Sequence, residues 1–344
     1  VELSSNGKTI DRKYVRFGWR QFTINGSRYL LNGKPIQLMG DAWHFMGIPQ
    51  MTRRYAWSWF RMLKDANANA VRLHAQPYPS FYLDVADEMG IMVLDESAIW
   101  ASHCGFNYEA PNFWPRCKTH IESLLLRDRN HPSVFGWSVC NEVNAALGVS
   151  RGTKEDYTRA DDNVVKLADY VRELDPSRSW ISGDGDEDMN GRLPVAVGHY
   201  GDATYFEKMS RLGIPYGIGE ASSAYYSTPK EVAKWFGDRA YESAEGRMEG
   251  IATEAYDLIK AQRKTASYCS VFNLAWYGMQ PLAIGLKDET RIAKLSDGII
   301  FKSYIQGKPG IQPERLGPYS TTFNPGYDPA LPLYKPWALF DAVK

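Results

Sequence analysis

The sequence predicts an α/β protein, a (β/α)8 TIM barrel preceded by a short β-hairpin and strand region. Three observations carry that prediction. The chain has 344 residues, room for one large barrel or roughly two ordinary domains. From residue 36 onward, short apolar runs alternate with longer stretches of helical periodicity, the mark of parallel strands joined by crossover helices. Eight such runs can be counted, and eight strand–helix units in about 250 residues is the size of a TIM barrel. A doubly wound open sheet is the rival, weakened because no GxGxxG turn follows an early strand.

Taken in order, Val15 to Ile24 roughly alternates, and Asn25-Gly26 and Asn32-Gly33 supply tight turns around a short strand at Arg28–Leu31. The eight barrel strands are expected at Ile36–Gly40, Ala70–Leu73, Ile91–Leu94, Val134–Trp137, Ser179–Ser182, Val195–Gly198, Tyr216–Gly219 and Val271–Leu274. Helices are expected at Tyr55–Ala68, Phe81–Met89, Trp114–Arg127, Asp156–Leu174 and from Glu231 to about Arg263. The link between strands five and six is short, acidic and Gly-rich, so no regular helix is expected there. From about Ile284 prolines punctuate the chain, while Tyr319, Phe323, Tyr327, Tyr334, Trp337 and Phe340 offer anchors. That tail reads as ordered irregular chain wrapping the barrel, since disordered tails are poor in aromatics.

Composition narrows the function. Apolar residues make up 44% and charged residues 23%, which excludes disordered and fibrous classes. The 40 basic and 40 acidic residues cancel, leaving no overall field to collect a nucleic acid. No run reaches the ~18 apolar residues of a membrane span. Aromatics reach 13%, which suits stacking on the C–H faces of sugars or equally a large amphipathic core. Cys104, Cys117, Cys140 and Cys269 lie far apart with no metal spacing and read as buried thiols. The chain begins at Val1 with no signal segment, so either a leader was removed or this is part of a longer polypeptide.

Barrels of this kind do their chemistry at the carboxyl ends of the strands. In order, those ends carry Asp41 and His44, His74, Asp95-Glu96, Asn141-Glu142, Asp184 with Asp186, His199-Tyr200, Glu220, and Asn273 with Trp276. Glu142 and Glu220 stand out, each following an apolar strand, the two strands lying across the mouth from each other. Retaining glycoside cleavage needs two carboxyl groups ~5–5.5 Å apart, one a proton donor and one a nucleophile. The same acids would also suit a metal or ion pairs with Arg72.

Asn69-Ala-Val-Arg72, Asp87-Glu-Met-Gly-Ile-Met-Val-Leu-Asp-Glu96, Arg127-Asp-Arg-Asn-His-Pro-Ser-Val134 and Trp137-Ser-Val-Cys-Asn-Glu142 occur in that order. Together they resemble the barrel domain of glycoside hydrolase family 2, the β-galactosidases, β-glucuronidases and β-mannosidases, over about Val15 to Trp276. Gly219-Glu-Ala-Ser222 resembles the family's nucleophile strand. Phe17-Gly-Trp-Arg and Leu31-Asn-Gly-Lys-Pro-Ile36 resemble its junction between an immunoglobulin-like domain and the barrel. The resemblance divides the chain into residues 1–26, a terminal strand region of an upstream domain or linker, and residues 27–344, the barrel with its tail. It also implies upstream β-sandwich domains missing from this chain.

The resemblance makes Glu142 the acid/base and Glu220 the nucleophile. Asn141 would bind the sugar 2-hydroxyl, Tyr200 would orient the nucleophile, and Asp41, His44 and His74 would meet sugar hydroxyls. Trp276 would floor the subsite, Arg72 would partner the glutamates, and His131 would be structural. His74 lies two residues beyond Arg72 where the family usually has three, implying a reshaped subsite. Phe45-Met-Gly-Ile after His44 lacks the magnesium-binding cluster of some family β-galactosidases, and no Asn-x-Lys of the β-glucuronidases is evident. The implied activity is an exo-acting, retaining β-glycosidase, β-galactosidase-like first and β-mannosidase- or β-glucuronidase-like next. It needs no organic cofactor and acts on a glycoside or oligosaccharide, with no nucleic-acid or membrane partner. Two rivals remain: a metal-dependent hydrolase using His44, His74, Asp95 and His199, and a non-catalytic sugar-binding barrel or inactive truncated domain.

Overall fold

A computed structural model describes residues 1–43, 45, 50–100, 110–149, 153–221, 244–272, 274, 286–287, 304–305, 322–323, 333–335 and 338–344. At the start, β1 (Glu2–Ser5) and β2 (Lys8–Arg12) form an exposed antiparallel hairpin. Next, β3 (Phe22–Asn25), β4 (Arg28–Leu31) and β5 (Lys34–Pro35) form a three-stranded antiparallel sheet. Both predicted Asn-Gly turns are there. Phe22 and Tyr29 stack with centroids 5.6 Å apart and join Phe135, Trp180 and Tyr268 in one buried cluster. The Tyr29 hydroxyl donates to the Phe135 carbonyl at 2.6 Å. This hairpin therefore plugs the floor of the barrel, and residue 26 is its turn.

The barrel strands are β6 (Leu38–Trp43), β7 (Ala70–Leu73), β8 (Met92–Glu96), β9 (Val134–Asn141), β10 (Trp180–Asp184), β11 (Ala196–His199), β12 (Tyr216–Ala221) and β13 (Tyr268–Val271). They make one parallel sheet in the order β10-β9-β8-β7-β6-β13-β12-β11. Pairing of β13 with β6 joins the last barrel strand to the first. Across the remaining seam, the amides of Gly185 and Glu187 both donate to the Val197 carbonyl, at 3.1 and 3.0 Å. The barrel is nearly closed.

Several strands run further toward the mouth than hydropathy suggests, because polar side chains at their ends are buried with partners and keep the ladder going. The last strand corrects the sequence reading: it occupies 268–271, earlier than 271–274. Tyr268 there faces the floor cluster and Cys269 the helix layer, an alternation that a search for an apolar run passes over.

The helices are α1 (Arg53–Asp65), α2 (Phe81–Met89), α3 (Phe113–Asp128), α4 (Val143–Val149), α5 (Lys154–Leu174), α6 (Ala203–Met209), α7 (Ala244–Thr265) and α8 (Ala338–Val343). Thr52 caps α1 by accepting from the Tyr55 amide at 3.1 Å, and Thr153 with Asp156 forms a capping box on α5. No helix lies between β10 and β11, as expected; α4, α6 and, in the tail, α8 are not expected, and residues 231–243 of the expected fifth helix lie outside the described residues. In the tail, β14 (Leu286–Lys287) pairs with β15 (Tyr304–Ile305), and β16 (Thr322–Phe323) with β17 (Tyr334–Lys335). Tyr334 donates to Asp65 at 2.7 Å and Phe340 is buried, so these two anchors hold; Tyr319, Tyr327 and Trp337 lie outside the described residues. Cys117, Cys140 and Cys269 are buried free thiols, and Cys104 is outside the described residues. Among the described residues no helix is long and apolar enough to cross a membrane.

Candidate active site

Glu142 sits at the end of β9, in the left-handed region at φ +51°. Its amide donates to the Asp184 carbonyl at 2.8 Å. One residue on, the buried Asp186 carboxylate accepts from the amides of Val143 and Asn144, at 2.8 and 3.0 Å, fixing the start of α4. The turn that results leaves the Glu142 side chain partly open to the mouth, at 20% exposure against 4% for Glu220. Glu220 on β12 accepts from the Tyr200 hydroxyl at 2.6 Å, from His74 Nε2 at 2.9 Å and from Arg72 Nη1 at 3.0 Å. A carboxylate oxygen of Glu142, a ring nitrogen of His199 and a carboxylate oxygen of Glu220 all lie within 4.8 Å of one another.

Arg72, wholly buried on β7, organises this floor. It donates to both oxygens of Glu96, at 2.9 and 3.0 Å, and also to Asn141 Oδ1. Asn141 is thereby turned so that its Nδ2, buried, has no partner among the described residues. His199 stands between three acids: Nδ1 is 2.8 Å from Glu142 and 3.7 Å from Glu220, and Nε2 is 3.1 Å from Asp184.

These contacts set the charges. Burial alone would push Glu220 up, but His199, His74 and Arg72 outweigh it and hold its carboxyl well below the usual range. Burial works against a charged His199, yet Glu220, Asp184 and Glu142 overcome both that and Arg72, raising the imidazole to about 10. Burial likewise opposes charge on Arg72, and Asp184, Glu96 and Glu220 more than compensate. A firmly ionised glutamate therefore faces a second, more open one across a hydrogen-bonded cluster.

Of the residues the sequence singled out, Glu142, Glu220, Asn141, Tyr200 and His74 come together at this mouth. His74 reaches the Glu220 carboxylate. Asp41 is fully buried; Trp59 Nε1 donates to it at 3.0 Å and the Leu274 amide at 2.7 Å, so it braces β6 outside the glutamate cluster. His44 and Trp276 lie outside the described residues. His131 is a brace, its Nδ1 2.7 Å from Asp87. Sequence reasoning gives Glu96 and His199 no place in the glycosidase site, although both stand among the strand-end polar residues.

The metal set His44, His74, Asp95 and His199 is not assembled by the described part of the mouth. Asp95 turns outward toward Asp128, because neighbouring strand residues face opposite ways. His74 Nε2 is taken by Glu220, and the two nitrogens of His199 by Glu142 and Asp184. Glu142, His199 and Glu220 are close enough to hold a cation, but a direct hydrogen bond already joins two of them.

A parallel barrel with two carboxylates near each other at its carboxyl end is the arrangement shared by the class of barrel glycosidases that work with two acids. Comparison with known proteins narrows that class: residues 22–264 match glycosyl hydrolases family 2, TIM barrel domain, and the chain belongs to that family. It is 31% identical over 191 residues to a β-glucuronidase of Paenibacillus borealis, covering 51% of this chain and 30% of that one. It is 28% identical over 199 residues to a β-galactosidase of Bacteroides ovatus, covering 56% and 22%. The chain thus spans less than a third of these relatives' length. A β-glucuronidase structure from Ruminococcus gnavus superposes with a TM-score of 0.62 at 18% identity, covering 81% of this chain and 50% of that one. A family 2 structure from Bacteroides cellulosilyticus gives 0.60 at 22%, covering 79% and 32%. At those identities the likeness is one of fold.

Proposed function

We propose that this chain is the catalytic barrel of an exo-acting, retaining β-glycosidase that removes terminal β-linked sugars by double displacement. Glu220 is the nucleophile and Glu142 the acid/base. The observation that carries the reading is the approach of their carboxylates within 4.8 Å in unlike surroundings, close to the ~5–5.5 Å of retaining enzymes. In the first half, a Glu220 oxygen attacks the anomeric carbon while Glu142 protonates the departing oxygen. In the second, Glu142 takes a proton from water, which displaces Glu220. The unpartnered Asn141 Nδ2 supports a hydrogen bond to the sugar 2-hydroxyl, and the Tyr200 hydroxyl holds Glu220 in line.

The relatives carry both β-galactosidase and β-glucuronidase names. One observation favours a neutral sugar such as a β-galactoside over a uronate. Among the described residues of the mouth, the guanidinium of Arg72 is already bound to Glu96, Glu220 and Asn141, so it is not free for a sugar carboxylate. A panel of aryl β-glycosides tests the reading, with β-galactosides expected to turn over fastest. On the best of them, Glu220→Gly should abolish turnover and azide should restore it with an inverted glycosyl azide product. Undiminished activity of that variant would overturn the assignment.

A further inference from the structure

His199 has no part in the two-glutamate scheme, yet it is the residue most tightly tied to both halves of it. Both ring nitrogens point at carboxylates, Nδ1 at Glu142 and Nε2 at Asp184. While both acids are ionised, a neutral imidazole, with its one N–H, would set a lone pair against one of them. Only the doubly protonated ring donates to both. The walls reinforce this. Gly185, at φ +84°, packs so close that a Cβ there would come within 2.8 Å of both Glu142 Cγ and His199 Nδ1. Asp184, fully buried, fixes the far nitrogen and is itself 3.4 Å from Arg72.

Resting on the assignment of Glu142 and Glu220 above, we propose that His199 is a positioning residue that stores the proton Glu142 delivers. In glycosylation the Nδ1 proton passes to Glu142, leaving a neutral ring whose Nε2–H stays on Asp184. Glu142 hands that proton to the leaving oxygen, which takes the electron pair of the broken C1–O bond as Glu220 forms its ester with C1. In deglycosylation water attacks C1, expels Glu220, and gives its proton to Glu142 and back to Nδ1. One proton leaves with the aglycone and one returns from water. The charged groups facing His199 are Glu142, Asp184, Asp186 and Glu220, with Arg72 opposing. The acids outnumber the cation, so the imidazolium is stable at neutral pH, where its proton is available to Glu142.

Two measurements on the full chain test this. Nitrogen-15 spectra of histidine-labelled wild type, with His199 assigned by its loss in His199→Asn, should show both ring nitrogens protonated at neutral pH. Glu142→Gln and Asp184→Asn should each lower the pH at which the ring titrates. Second, His199→Asn should cut kcat on a phenyl β-glycoside about 10- to 100-fold and move the alkaline limb of kcat/KM toward acid. It should cost the 2,4-dinitrophenyl glycoside, whose departure needs no proton, markedly less, the part that remains being the loss of His199 beside Glu220. A neutral ring in wild type, an alkaline shift of that limb, or equal losses on both substrates would overturn the relay while the glycosidase reading stands. No turnover of any aryl β-glycoside by wild type would overturn both.

Discussion

Glu220 shows how much of its reactivity is set by neighbours. Three donors from two strand ends, those of β7 and β11, converge on one carboxylate, and the most exposed of them can be removed without touching the core. Tyr200 is that donor, because its ring is 42% exposed while its hydroxyl donates to Glu220 Oε2. Tyr200→Phe should lower kcat/KM roughly 10- to 100-fold, the worth of one hydrogen bond to a charged group. Initial rates and thermal melts check it; a parallel fall in melting temperature would mean that the ring, not the hydroxyl, matters. At this scale the sequence marks which polar residues end the strands, as with His74, Asn141, Glu142, Tyr200 and Glu220. It is silent on pairing. That His199 touches Glu142, Asp184 and Glu220 at once depends on barrel curvature bringing β9, β10, β11 and β12 together, which no spacing along the chain expresses.

Elements fail differently from residues, through backbone contacts that no side chain announces. On β12, Gly219 lies against Asp184, and a Cβ there would overlap the Asp184 carboxylate. Asp184 in turn holds His199 and Arg72, so one methyl on β12 would disturb a cluster built from four strands. Gly219→Ala should therefore cost about 1–3 kcal/mol of stability by overpacking and a disproportionate loss of activity. Denaturant melts and kcat measured together decide it; a stable, fully active variant would show that β10 and β12 can move apart freely. The Gly was legible as part of Gly219-Glu220, but its reason was not, because the partner is 35 residues earlier in the chain. Asp186 makes the same point. The sequence marks it as a strand-end acid, whereas its buried carboxylate caps α4 and so sets the direction of Glu142.

Across the whole molecule, the stretch that carries the family resemblance spans both ends of the barrel: Arg127 to Val134 braces the amino end of β9, and Trp137 to Glu142 runs up to the mouth. Arg178 donates to the carbonyls of Arg129, His131 and Val134 at 2.8–2.9 Å, and Asp87 holds His131 and Ser133. The fold is legible because the alternation of strands and helices is local, while strand eight is misplaced where polar and apolar residues alternate. One buried group in this frame is a liability. Asp95 is fully buried beside Asp128, and no other side chain or amide donates to its oxygens among the described residues. Burial and then Asp128 push its carboxyl well above the usual range, with Arg127 and Arg178 opposing. An unfolded aspartate ionises near ~3.9, so the folded protein keeps a proton that the unfolded chain gives up. The stability this contributes is whole below that pH and is lost as pH rises through the folded value. Asparagine does not titrate and supplies an N–H to Asp128, so Asp95→Asn should be more stable than wild type by about 1–3 kcal/mol at mildly alkaline pH. The advantage should shrink toward acid pH, where the wild-type carboxyl is already neutral. Melting temperatures of both proteins across pH would test the sign, and a gap that stays constant, or widens toward acid, would mean that Asp95 is ionised in the fold.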